Sequence, residues 1–150
     1  MKKYSEIAAE NFKQGYNCAQ SVCLAFKDRL DLDEKTILKL SSSFGGGMGR
    51  LREVCGAVSA MFMIAGLIKG YDTFNDDALK ASHYKLIQDL AQEFKNKHNT
   101  IICRELLGLD KNNEPVSGYI PSKRTEEYYN SRPCENFIRS AAEIIEKNLL

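Results

Sequence analysis

The side chains of this chain best suited to chemistry are its five cysteines, Cys18, Cys23, Cys55, Cys103 and Cys134. A thiolate is both a nucleophile and a soft metal ligand, so thiols spread over 150 residues point to redox exchange, metal binding or core packing. Their odd number argues against a scaffold held by structural disulfides. No Cys-x-x-Cys occurs, and a thioredoxin-like site is not supported. Basic residues accompany the cysteines: Arg50 and Arg52 precede Cys55, Arg104 follows Cys103, and Arg132 precedes Cys134.

The elements that carry these thiols are expected to be helices, and four thiols fall near helix starts. Asn17 is a good N-cap, and Cys18 follows it. Cys103 lies in the first turn after a possible cap at Thr100, and Cys134 in the first turn after Ser131, with Pro133 tolerated there. Cys55 lies near the start of an apolar segment ending at Lys69-Gly70, a cation and then a glycine, the usual stop. Unpaired amides and the helix dipole at such positions favour negative charge, so these thiols are expected to titrate low. Cys23 lies about 140° around the helix from Cys18, has neither feature and receives no role.

The remaining helices follow from periodicity and caps. Residues 4–14 present Ile7, Ala8 and Phe12 on one face, and a helix after Asp33 ends at Ser41-Ser42-Ser43. Residues 52–68 are almost wholly apolar and predict a central helix buried on all sides. Asn75 or Asp76 caps a long helix to about residue 97. Residues 110–122, with Pro115, Gly118 and Pro121, read as a loop, of a length often functional. Thr125 starts one turn through Tyr128 and Tyr129. The last helix carries a stripe of Phe137, Ile138, Ala141, Ile144, Ile145 and Leu149. No alternating β-branched run predicts a strand. The expectation is an all-α fold, a compact bundle of five to six helices around the central one, in a single domain over residues 1–150.

The glycine run Gly45, Gly46, Gly47 and Gly49, before the central helix, has backbone amides that could cradle an anion. It lacks the P-loop ending and follows a helix, so a tight connection is the stronger reading. Gly56, Ala57 and Ala60 leave room beside Cys55 for a second cysteine, a helix or a cofactor.

The net charge of +1 gives no reason to propose nucleic acid or an anionic membrane as partner. The longest apolar run, residues 54–68, is short for a membrane span. The first dozen residues lack a signal-peptide core, and a cytoplasmic location is expected.

Taken together, Cys18 in GYNCAQSV, Cys55-Gly56-Ala57-Val58-Ser59-Ala60, Cys103 and Cys134 resemble the C_GCAxxG_C_C family of redox-active proteins, named for this cysteine pattern. The glycine-rich FGGGMGRLREVCGAVSA block is the most specific part, and the resemblance covers nearly the whole chain. Ala60 departs from the pattern, standing where the motif ends in glycine. The resemblance implies a small helical protein of redox function, with a link to transporters, and assigns no substrate.

Three functions follow. In the first, Cys18, Cys55, Cys103 and Cys134 lie close together and a pair cycles between thiols and disulfide. This thiol-disulfide oxidoreductase reading needs no cofactor but needs a redox partner protein. Cys55 is then the attacking thiol, its thiolate stabilised by Arg50 and Arg52, with Arg104 and Arg132 serving the other thiols. In the second, the same four thiols hold zinc or an iron–sulfur cluster. In the third, the cysteines are only core in a helical interaction protein. Self-association is compatible with all three.

Overall fold

Asn17 begins its helix as a full capping box: its side chain accepts from the amide of Gln20, and the Gln20 side chain accepts from the amide of Asn17. Such local signals set most boundaries in the computed structural model, which describes residues 1–109 and 118–150. Most of the loop expected at residues 110–122 therefore lies outside the described residues. The helices are α1 (Tyr4–Lys13), α2 (Cys18–Ala25), α3 (Glu34–Ser41), α4 (Gly56–Lys69), α5 (Asp77–His98), α6 (Cys103–Leu106), α7 (Glu126–Ser131) and α8 (Cys134–Leu149). Asp76 and Thr125 cap α5 and α7, accepting from the amides of Leu79 and Tyr128.

The described residues are thus all-α, with eight helices where five to six were expected. The number passes five to six once the short pieces α6 and α7, expected after Thr100 and Thr125, are counted as helices. The β structure among the described residues is one isolated antiparallel bridge, Val54 to Ile102. None of the described helices is long and apolar enough to cross a membrane.

Helix α4 packs against α2, α8 and α5, and α1 packs against α2 and α8. Val22 of α2 and Phe26 just after it, Val58, Met61 and Ile64 of α4, Phe94 of α5, and Ile138 and Ile145 of α8 are fully buried between them. Burial of this apolar area is the main favourable contribution to folding. Two expectations about α4 are corrected. It is buried on all sides only through Met61; beyond that Phe62 and Met63 are half-buried and Leu67 is exposed. It also begins at Gly56, not near Arg52, because residues 53–55 are extended against residues 101–103. There Cys55 N–H donates to the Ile101 carbonyl (2.8 Å) and Cys103 N–H to the Glu53 carbonyl (2.6 Å).

Candidate functional site

Three of the cysteines are first residues of helices: Cys18 of α2, Cys103 of α6 and Cys134 of α8. Cys55 occupies the N-cap of α4. The bridge between residues 54 and 102 sets Cys55 and Cys103 beside each other at the entrances to α4 and α6.

The glycine run brings these entrances together with α2. Gly46, Gly47, Met48, Gly49 and Arg50 all have φ between 62° and 69°, a left-handed turn closed by Gly49 N–H to the Gly45 carbonyl at 2.9 Å. Arg52 is left-handed too, at φ 60°. Such a conformation costs a residue with a Cβ about 1–2 kcal/mol, and glycine nothing comparable. Gly47 is also a close approach: a Cβ there would lie 2.6 Å from Cys103 Cβ and 2.9 Å from Arg52 Cα. A Cβ on Gly45 would collide with the Asn17 side chain, and one on Gly56 with Cys18 Sγ. The amide of Gly46 faces the Cys18 thiol.

Cys18, Cys55, Cys103 and Cys134 consequently line one cavity of about 60 Å³, closed by Phe12, Leu106, Leu107 and Phe137. The thiols feel one another. A charge on Cys103 would raise the other three, and a charge on Cys18 would raise Cys55 and Cys134. Cys23 lies elsewhere, buried in the core with Ser41 beside its thiol.

The expectation that these thiols titrate low is overturned at Cys18, Cys55 and Cys134. Burial pushes the Cys134 thiol up to about 12, raises Cys18, and carries Cys55 well above its ordinary value. Backbone amides do favour the thiolates, those of Gly46 in the glycine turn and Ala19 at the start of α2 at Cys18, and those of Val58 and Ala57 at the start of α4 at Cys55. Desolvation outweighs them, because taking a charge out of water costs more than a few oriented dipoles return.

The four arginines expected to serve the thiols divide. Arg52 is 5% exposed and its Nη1 donates to Cys103 Sγ at 3.7 Å, so it serves Cys103 and not Cys55. Arg132 favours the Cys134 thiolate, but burial outweighs it. Arg104 turns away from Cys103 to pair with Glu53 at 2.8 Å. Arg50 does not act on Cys55 among the groups that shift that thiol; it faces a second, outer cavity of about 240 Å³. Gly45, Gly46 and Gly49 border that outer space.

Sequence reasoning missed Arg124, which lines both cavities with Asn17 and Tyr128. Its guanidinium donates to the carbonyls of Phe12 and Tyr16, both at 3.1 Å, and lies 4.5 Å from the centre of the Phe12 ring. It therefore completes the C-terminal end of α1, where a cation is favourable. Nothing in the local pattern around residue 124 connects it with residues 12–16.

Chemically, burial in the inner site disfavours the charged form of Cys18, Cys55 and Cys134. Such a site suits a disulfide, which is neutral, better than an accumulation of thiolates. Among the described residues, no group of three or more His, Cys, Asp or Glu side chains is arranged to hold a metal ion. A family model described as "Putative redox-active protein (C_GCAxxG_C_C)" matches residues 16–148. No curated protein and no solved structure matches the chain.

Proposed function

The chain belongs to the C_GCAxxG_C_C family, described as redox-active, and on that premise we propose that its four cavity cysteines carry out thiol–disulfide exchange. The observation that carries this reading is the convergence of Cys18, Cys55, Cys103 and Cys134, from four separate elements, on one cavity.

The attacking thiol is Cys18. It keeps partial exposure, whereas Cys55 is buried, and three backbone amides, those of Gly46, Ala19 and Cys18, favour its thiolate. The Cys18 thiolate attacks one sulfur of a partner disulfide, forming a mixed disulfide and releasing the first partner thiolate. A neighbouring cavity cysteine then attacks Cys18 Sγ, closing an internal disulfide and releasing the second. Two cysteine thiols are oxidised, one partner disulfide is reduced to two thiols, and the protons pass to the released thiolates. Arg52, beside Cys103, stabilises negative charge as it develops there.

The test is a thiol count on protein purified without oxygen, before and after mild oxidation with diamide, with the bridged peptides mapped. The reading expects reversible loss of two or four thiols from Cys18, Cys55, Cys103 and Cys134, with Cys23 retained. Five thiols that persist would overturn it. Four thiols are also the number that closes a zinc or iron–sulfur site, and this second reading predicts stoichiometric metal in the same preparation. The dithiol reading ranks first because it needs only two of the four thiols to meet, whereas a closed metal site needs all four as ligands.

A further inference from the structure

The outer cavity poses a separate problem of charge. Arg50, Arg52, Arg124 and Arg132 all line it, with the glycine turn on one side and Tyr119, Pro121 and Tyr128 on the other. Among the described residues no carboxylate lines it, and none of the four guanidinium groups pairs with Asp or Glu. The Nε atoms of Arg50 and Arg52 are buried without a hydrogen-bond partner. Burial, together with Arg52 and Arg132, pushes Arg50 below its usual range. Bringing four like charges together is unfavourable, and a buried donor left unsatisfied is costly.

The arginines are nonetheless held in place. Arg124 is fixed by its two carbonyl acceptors, and Arg132 lies over the Tyr128 ring at 5.3 Å. Arg50 and Arg52 are carried on backbone held in left-handed conformations. A chain that holds four cations around a cavity, with no internal counter-charge on its described walls, has built the complement of an anion. Guanidinium forks match tetrahedral oxyanions with paired hydrogen bonds.

We propose that the outer cavity is a binding site for a dianionic phosphate group, held by Arg50, Arg52, Arg124 and Arg132. The volume exceeds the need of one oxyanion, and the tyrosine and proline wall offers an apolar face to an organic substituent. Because Gly46, Arg52, Arg124 and Arg132 also line the thiol cavity, the bound group sits at its mouth. The site stands whether or not the thiols cycle.

The test is calorimetric titration of the full reduced chain, in chloride buffer, with inorganic phosphate and with phenyl phosphate. Saturable binding at one site per chain is expected, accompanied by a rise in melting temperature. Arg50→Gln and Arg132→Gln should each weaken it about tenfold or more. Lys147→Gln, which removes an equal charge from a surface ion pair with Glu93, should leave it unchanged. Stronger binding of phenyl phosphate would identify a phosphate ester as the ligand; equal binding would identify the free ion. If one arginine variant fails to fold, the other and the wild-type melting shift still decide. Absence of saturation with either ligand, or equal weakening by Lys147→Gln, would overturn the proposal.

Discussion

Gly56 lies so close to Cys18 that a single methyl group on its Cα would overlap the sulfur. The same methyl would press on the Phe44 carbonyl at 2.7 Å. Because that second obstacle is backbone, a rotamer change cannot relieve it. Gly56→Ala is expected to cost about 1–3 kcal/mol, as overpacking does, and to displace Cys18 toward solvent. Urea denaturation reads the first effect and a faster alkylation rate at Cys18 the second. Ala60→Gly, which restores the family motif, should behave differently. Ala60 is fully buried but does not line the thiol cavity. It should cost about 1 kcal/mol, as a glycine in a helix interior does, and leave alkylation of Cys18 unchanged.

Two of the three glycines of the left-handed turn, Gly47 and Gly49, separate conformational strain from steric exclusion. Gly49 has φ 62°, but a Cβ there meets only the Ser43 carbonyl at an ordinary 3.7 Å. Gly47 has φ 67° and would strike Cys103 and the Arg52 backbone. Gly49→Ala should therefore cost about 1–2 kcal/mol, the left-handed penalty alone. Gly47→Ala should cost more and should also disturb Cys103. Equal losses in the two variants by thermal denaturation would contradict this account.

How far these features could be read from the sequence depends on whether they are local. The capping box at Asn17 and Gln20 needs four consecutive residues, and the buried stripe of α8 needs only a period; both are visible in the string of letters. All six stripe residues of α8 are buried. The start of α4 was misplaced because Arg50 and Arg52 adopt left-handed angles that their side chains disfavour. That choice is enforced by residues 101–103, far along the chain. Arg52 reaching Cys103, and Arg124 reaching the end of α1, are likewise tertiary contacts with no period or cap to betray them. The low thiol pKa expected from helix starts failed for a related reason: a dipole is local, but burial is a property of the assembled fold.

The raised thiols make stability depend on pH. Cys18, Cys23, Cys55 and Cys134 all titrate above the ordinary 9.0, Cys23 and Cys134 at about 12. In the unfolded chain a thiol loses its proton near 9.0, before the folded one does. Between pH 9 and 12 the folded state therefore binds more protons, and stability falls as pH rises. The contribution is fully present below pH 9. Each thiol can remove up to about 1.4 kcal/mol per pH unit in that window. Urea midpoints measured under reductant at pH 7, 8 and 10 should be nearly level over the first step and fall over the second. A midpoint that stays level to pH 10 would mean that the thiols are not desolvated in the folded chain.

Cys23 offers the cleanest control for the redox reading, since it shares burial with the cavity cysteines but not their company. Its thiol is 4% exposed, pushed up by burial, and faces Ser41. If oxidation depended only on thiol content, replacing any cysteine would lower the number of oxidisable groups. If it depends on juxtaposition, Cys23→Ala should cost about 1 kcal/mol in stability, an ordinary core loss, and leave the diamide-sensitive count unchanged. Cys18→Ser should do the reverse. It removes the thiol whose charge acts on both Cys55 and Cys134, and so should reduce the reversible oxidation with the helical content retained by circular dichroism. Were Cys23→Ala to abolish the oxidation while Cys18→Ser spared it, the assignment of chemistry to the four-cysteine cavity would be wrong.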